Sequence, residues 1–360
     1  MNNQPVYIRF DKQMSSIVKG CAILFMMMLH CYGKEYAVSL NYDFAVFSHF
    51  NGVFKICIGI YSFMVGFGYA FSKNKDWHYS IQHIKKLLVP FWVILFVFTF
   101  PLCYQEVIDR GIVSFIYELF GISSHFNWYS WFVYFFIFAM IVMPLVSRFI
   151  DHKPLINTLF SVAGSYLICV AVHSIPGSME NKPLLALFNS LMMTPIMLLG
   201  YLFAHEHYYE KINIGRYPRY ITIVMSLILI VLVFVVRRRR WAILAFQLDF
   251  FYAPLVIFGI VVIFSLIRWQ PVKILFSKLG EVSVYMWFLH ALFFTEAVAW
   301  FYQPMITIFD NVNLVVIWAI TLTFFVSWLL KSLVDQITKR ITTNSAKFLA
   351  PDKDRLKHNS

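Results

Sequence analysis

Lys19-Gly20-Cys21-Ala22-Ile23-Leu24-Phe25-Met26-Met27-Met28-Leu29-His30 is apolar on every side, with a cation at its start and an imidazole at its end. A helix with no polar face is shielded from water all round, by lipid or by other helices. Eleven residues separate Lys19 from His30. Eleven steps of about 100° return to within about 20° of the same face, and about 1.5 Å of rise per residue sets the two groups roughly 16 Å apart along it. A titratable group in a membrane span is expensive to bury and marks a functional position by default. The plainer reading is a histidine bonded to a neighbouring helix carbonyl.

The same kind of block recurs along the chain. Of 360 residues, 60% are hydrophobic, 19% aromatic and only 13% charged, where soluble proteins carry about a quarter charged. The apolar blocks run to about twenty residues each, enough to cross a bilayer. The expected fold is all-α: a polytopic membrane helical bundle of about ten transmembrane helices. The spans are expected at 16–32, 50–71, 87–104, 129–147, 155–173, 184–204, 219–236, 250–267, 280–300 and 314–334. Residues 1–335 form the membrane domain and 336–360 a basic tail. With the N-terminus cytoplasmic, 22 Lys and Arg fall on the inside and 7 outside, with Lys55 left within a span. Cytoplasmic loops hold the excess of basic residues, so both termini are expected inside. The net charge of +12 therefore reads as topology and headgroup contact, not nucleic-acid binding. Cys21, Cys31, Cys57, Cys103 and Cys169 lie in or at the ends of apolar blocks without CxxC pairing; they read as packing residues, and no metal site is expected. The first apolar run lacks a small-residue cleavage site and is read as a span, not a signal peptide.

Arg237-Arg238-Arg239-Arg240 breaks the charge rule by lying outside. Phospholipid headgroups or an anionic acceptor would each hold such a run, since arginine grips phosphate and carboxylate bidentately. Asp249 is a possible partner for one of the four. Gly52, Gly59 and Gly66 read as a close-packing seam. Lys55 either snorkels outward or faces inward as a charge partner. The longest outside connection, 105–128, leads into Asn127-Trp128-Tyr129-Ser130-Trp131, an interfacial belt or a stacking platform for a sugar ring.

A second histidine answers the first. Leu279-Gly280-Glu281-Val282-Ser283-Val284-Tyr285-Met286-Trp287-Phe288-Leu289-His290 places glycine ten residues before its histidine, as Gly20 stands before His30. Ser283 and His290, seven apart, share a helix face. On the expected spans His30 lies about 20 Å along its helix and His290 about 15 Å, near or just past the midplane. Two imidazoles in one layer suggest a reaction centre.

These residues resemble the acyltransferase-3 family of integral membrane acyltransferases. Lys19-Gly20-x-Ala22-Ile23-Leu24-x-x-x-x-x-His30 looks like its first-span signature. The segment Lys55 to Gly68 is similar to the second span of members associated with capsules and exopolysaccharides, and Lys85-Lys86-Leu87-Leu88-Val89-Pro90 to the approach to the third. Trp131-Phe132 with Pro144, then Gly200-Tyr201, then Leu279-Gly280-x-x-Ser283 with Leu289-His290 follow in the same order. Many relatives carry an arginine pair before the third span where this chain has His83 and the two lysines.

The resemblance implies transfer of an acyl group, usually acetyl from acetyl-CoA as donor substrate, to a hydroxyl of an extracytoplasmic or lipid-linked glycan. No bound cofactor is implied, and the setting is the plasma membrane. Lys19, Lys85 and Lys86 would hold the polyanionic donor as point charges. His30 would serve as general base, and His290 would orient it or donate to the oxyanion, with Ser283 in support. Acceptor contacts are expected from Trp131 and from among Arg237, Arg238, Arg239 and Arg240, the remainder meeting membrane lipids. A transporter or flippase is the rival reading, since intramembrane His and Lys serve carriers too. Carboxylates lie almost wholly outside the spans and no inverted repeat is visible, which weighs against it.

Overall fold

A computed structural model describes residues 5–33, 52–127, 130–238 and 248–349. In chain order the helices are α1 (Lys12–Cys31), α2 (Ile56–Ala70), α3 (Trp77–Ile94), α4 (Tyr104–Asp109), α5 (Gly111–Leu119), α6 (Trp131–His152) and α7 (Pro154–Ser174). They continue as α8 (Lys182–His205), α9 (Arg219–Arg238), α10 (Asp249–Leu266), α11 (Gln270–His290), α12 (Glu296–Tyr302) and α13 (Val312–Leu349). Among the described residues nine helices are long and apolar enough to cross a membrane. A tenth candidate is the pair Gln270–Phe293 and Glu296–Met305, bent by 90°. The protein is an all-α multi-pass membrane bundle.

Some of its helices start where the sequence supplies a side-chain cap. Asp11 accepts the Met14 amide at the head of α1 at 2.9 Å, and Asp76 accepts the Tyr79 amide at the head of α3 at 2.8 Å. Each satisfies one of the amides that a helix start leaves unpaired. Pro154 and Pro271 stand in the first turns of α7 and α11, where a missing N–H costs nothing.

The ninth span departs from expectation. It begins at Gln270, ten residues before the predicted start, and turns away after Phe293 instead of running on to 300. Lys273 and Lys278 had marked its first two turns as loop, but α11 carries those turns out beyond the apolar stretch. The last helix likewise runs unbroken past residue 335, so no break marks the expected tail; residues 350–360 of that tail lie outside the described residues.

Helices α1, α2 and α8 are central, with 67% of their most apolar windows buried, whereas α9 is peripheral at 11%. Two glycine crossings hold the centre together. Gly20 of α1 lies against the Phe276 carbonyl and Gly280 of α11 against the Ser16 carbonyl; a β-carbon at either would overlap that oxygen. Gly66 of α2 meets the Met197 backbone and Gly200 of α8 the Phe63 backbone in the same way. Bare backbones approach closely only where side chains are absent, and close approach is what binds helices in lipid. The expected seam on α2 is thus divided: Gly59 faces Asp249 and Ala253 of α10, Gly66 faces α8, and a β-carbon at Gly52 would meet open space.

Arg237, ending α9, donates to both oxygens of Asp249, opening α10, at 2.6 and 2.8 Å, and to the Gly52 carbonyl ahead of α2. A cation at a helix C-terminus and an anion at a helix N-terminus each suit the local dipole. On the face that carries the N-terminus, Asp151 gathers Lys75 (3.1 Å), Tyr201 (2.5 Å) and His205 (3.4 Å), tying the α2–α3 turn to the ends of α6 and α8.

Candidate functional site

Parallel α1 and α11 cross at Gly20 and Gly280, and ten residues further along each the histidines meet. The rings of His30 and His290 stand 5.2 Å apart between centroids, with Phe294 5.7 Å from His30. His290 is fully buried and His30 partly so. Counted from the observed helix starts, the histidines lie 18 and 20 residues along, about 27 and 30 Å. They share a level, the last turn of both helices.

His290 Nδ1 is 3.1 Å from the Met286 carbonyl. A carbonyl only accepts, so in the neutral ring Nδ1 carries the proton and Nε2 offers a lone pair. That orientation makes His290 an acceptor toward the rest of the site and removes the expected option of its donating to an oxyanion while neutral. Lys55, half-buried at the head of α2, stands within electrostatic range of His30.

A cavity of about 1100 Å³ runs from the face bearing the N-terminus toward this pair. Its mouth carries Lys12, Lys19, His83, Lys86 and Lys331, with Glu281 as the carboxylate among them. Further in it passes Ser283, whose hydroxyl donates to the Gly280 carbonyl at 2.9 Å, and Tyr61, which donates to the Lys19 carbonyl at 3.2 Å. Phe132, Trp287 and Phe288 also line it. Phe288 is two residues before His290, so along α11 the lining comes to within about 3 Å of helix rise of it.

The expected residues divide accordingly. Lys19, Lys86 and Ser283 line the cavity; Lys85 is exposed on α3 and does not, because adjacent residues point about 100° apart. Trp131 packs edge-on against Phe132, ring centroids 6.0 Å apart, and it is Phe132 that reaches the cavity. Arg237 is engaged inside the protein with Asp249, a tie between α9 and α10. The Arg238 side chain, Arg239 and Arg240 lie outside the described residues, as do Trp128 and Tyr129. Lys12, Lys331, Tyr61 and Trp287 were not picked out as site residues from the sequence. The first two read only as topology signals, and nothing in a linear pattern says that rings from α2, α6 and α11 converge.

On the opposite face Glu118, 1% exposed, accepts the amides of His125 (2.9 Å) and Phe126 (3.3 Å). This fixes the loop that seats Asn127 against the end of α11, where its amide donates to the Phe288 carbonyl at 3.1 Å. Nearby, burial raises the Glu106 carboxyl, but hydrogen bonds from His125 and Arg110 outweigh it and hold the group below the usual carboxylate range. Among the described residues no three His, Cys, Asp or Glu side chains converge as metal ligands.

Comparison of the chain with known protein families, with curated proteins and with solved structures finds no match in any of the three.

Proposed function

We propose that this chain is an integral membrane acyltransferase of the acyltransferase-3 type, moving an acyl group, acetyl in the first instance, from acyl-CoA to a hydroxyl of a glycan at the plasma membrane. The observation that carries the reading is the cavity: ammonium groups among its lining and, within a turn of its lining along α11, two imidazoles in contact. A polyanionic donor with a long neutral arm fits that gradient from charge to rings. Lys12, Lys19, Lys86 and Lys331 take its phosphates as point charges, and the arm passes Tyr61 and Ser283 toward the histidines.

The acceptor hydroxyl comes from the other face. A ring nitrogen of His30 takes its proton as the oxygen forms a bond to the thioester carbon, a step worth about 10²–10⁴-fold. The tetrahedral intermediate expels the sulfur; the C–S bond breaks, and the thiolate takes the proton back from the His30 imidazolium. An ester and free CoA leave, and the ring is neutral again. His290, presenting its Nε2 lone pair, orients His30, and the Lys55 ammonium supplies positive charge near the developing oxyanion.

The test is mass spectrometry of surface glycan from cells with the gene, without it, and with His30→Ala. An acetyl increment present only with the intact gene supports the reading, provided the variant inserts at normal levels. An increment that survives His30→Ala overturns the mechanism. A carrier would change the amount of glycan at the surface and leave its mass alone.

A further inference from the structure

One stripe of α3 faces the cavity. Tyr79, His83, Lys86 and Leu87 all line it, and their spacing is that of a single helix face. Two of them are stacked rings. Tyr79 and His83 stand 3.9 Å apart between centroids, with planes 28° apart. Tyr69 of α2, which also lines the cavity, meets Tyr79 edge-on at 5.4 Å. A planar ligand in this part of the cavity packs against rings, by face or by edge. From the start of α3 inward the stripe reads ring, ring, ammonium, apolar side chain.

The polarity of His83 is set by its own helix. Its Nδ1 is 2.9 Å from the Tyr79 carbonyl. A carbonyl only accepts, so in the neutral ring Nδ1 carries the proton and Nε2 holds a lone pair. No described residue bonds Nε2, and the atom is not sealed from solvent. A lone pair sits badly against a phosphate, whose oxygens also accept; the lysines nearby serve phosphates. What suits Nε2 is a donor, and what suits the rings beside it is a donor carried on a planar group.

We infer that Tyr79 and His83 form the base subsite of the donor, with Nε2 of His83 accepting a hydrogen bond from the exocyclic amino group of adenine. The inference rests on the donor reading above. The order along α3 matches the order of groups in the molecule. In CoA the base precedes the phosphates and the phosphates precede the neutral arm; on α3 the rings precede Lys86, and Lys86 precedes Leu87. The base is also the part of the donor farthest from the thioester, and His83 stands in the second turn of α3, toward the face that bears the N-terminus. The inference assigns His83 as a specificity-determining residue. Adenine offers it an amino group, whereas hypoxanthine carries a carbonyl oxygen at that place and would set two acceptors against each other.

The experiment uses the purified full-length protein in detergent and needs no acceptor. Labelled acetyl-CoA is displaced with unlabelled acetyl-CoA and with its deaminated form, in which hypoxanthine replaces adenine. The proteins are the wild type, His83→Phe, His83→Gln and Tyr79→Leu. The wild type is expected to hold the deaminated form at least about tenfold more weakly, the scale of leaving a polar group unpaired. His83→Phe keeps a ring without a lone pair, and the amide of His83→Gln turns either its oxygen or its nitrogen to the base. Each is expected to narrow the ratio to less than about threefold, and either one suffices if the other fails to fold. Tyr79→Leu keeps the backbone carbonyl that orients His83 and loses the stack. It is expected to weaken both ligands by about tenfold, the scale of one stacked base, and to leave their ratio unchanged. A wild type that binds the two forms alike overturns the inference and leaves the donor reading standing. So does a ratio that neither His83 variant narrows, or undiminished binding by Tyr79→Leu. Failure of labelled acetyl-CoA to bind the wild type overturns the donor reading itself, and the base subsite with it.

Discussion

Nδ1 of His290 faces the Met286 carbonyl 3.1 Å away, and that bond commits the ring to act through Nε2. Losing it removes an orienting acceptor but not the base. His290→Ala is expected to lower turnover at least about tenfold with the apparent KM for donor unchanged; steady-state kinetics on purified protein check it, and a matched rise in donor KM would sink the positioning role. The two lysines of α3 give a sharper contrast. Lys86 lines the cavity and Lys85 does not. Lys86→Ala is thus expected to raise donor KM by about tenfold, the scale of one charged contact, and Lys85→Ala to leave it within twofold. At this scale the sequence was half legible. Helical spacing put Lys19 and His30 on one face, and distance along the expected spans put both histidines in one layer. It could not say which of two adjacent lysines turned inward, because that depends on how α3 is rotated against α6 and α11.

Between elements, single ion pairs act as ties. Arg237 and Asp249 are 10% and 4% exposed in their side chains, so removing one partner strands a buried charge. Arg237→Ala is expected to cost about 3–5 kcal/mol, and replacing both by Met and Leu to recover most of it; thermal unfolding in detergent reads both. Glu106 works outside the bundle. Its folded carboxyl is held low by His125 and Arg110, so the folded loop favours the charged form. That contribution is complete above the ordinary carboxylate range and is lost as pH falls through the lowered value. Amide protection across 104–127, taken relative to the intrinsic exchange rate at each pH, should therefore fall on acidification from about pH 5 toward about pH 3, and unchanged protection would count against the tie. Elements with clean apolar blocks, such as α8 and α10, were readable to within a few residues. The ninth was not. Its first turns carry Lys273 and Lys278, and its far end bends by 90°, so hydropathy averaged a helix and a turn into one displaced span.

For the whole molecule the charge count gives an orientation that labelling checks. In a cysteine-free background, cysteines at Ser39 and Asn311 are expected to react with an impermeant thiol reagent added outside, and one at Asn344 not to; a labelled Asn344 position reverses the topology and exchanges the donor and acceptor sides. The fold class was legible because a bilayer demands long apolar helices and little else. The cavity was not, since its walls come from residues 12 to 331 and their meeting depends on which helices pair. The crossing at Gly20 and Gly280 has one more consequence. It is the fulcrum of a beam: the lysine mouth lies to one side of it, and the histidines stand on the other, ten residues, or about 15 Å, along both arms. Rigid arms that part at the histidine end to receive an acceptor must draw together at the mouth. On the acyltransfer reading each substrate then alters the other's grip. Initial-rate plots should intersect off the axis of reciprocal donor concentration, with a donor KM that changes with acceptor level; an intersection on that axis would show that the arms do not pivot.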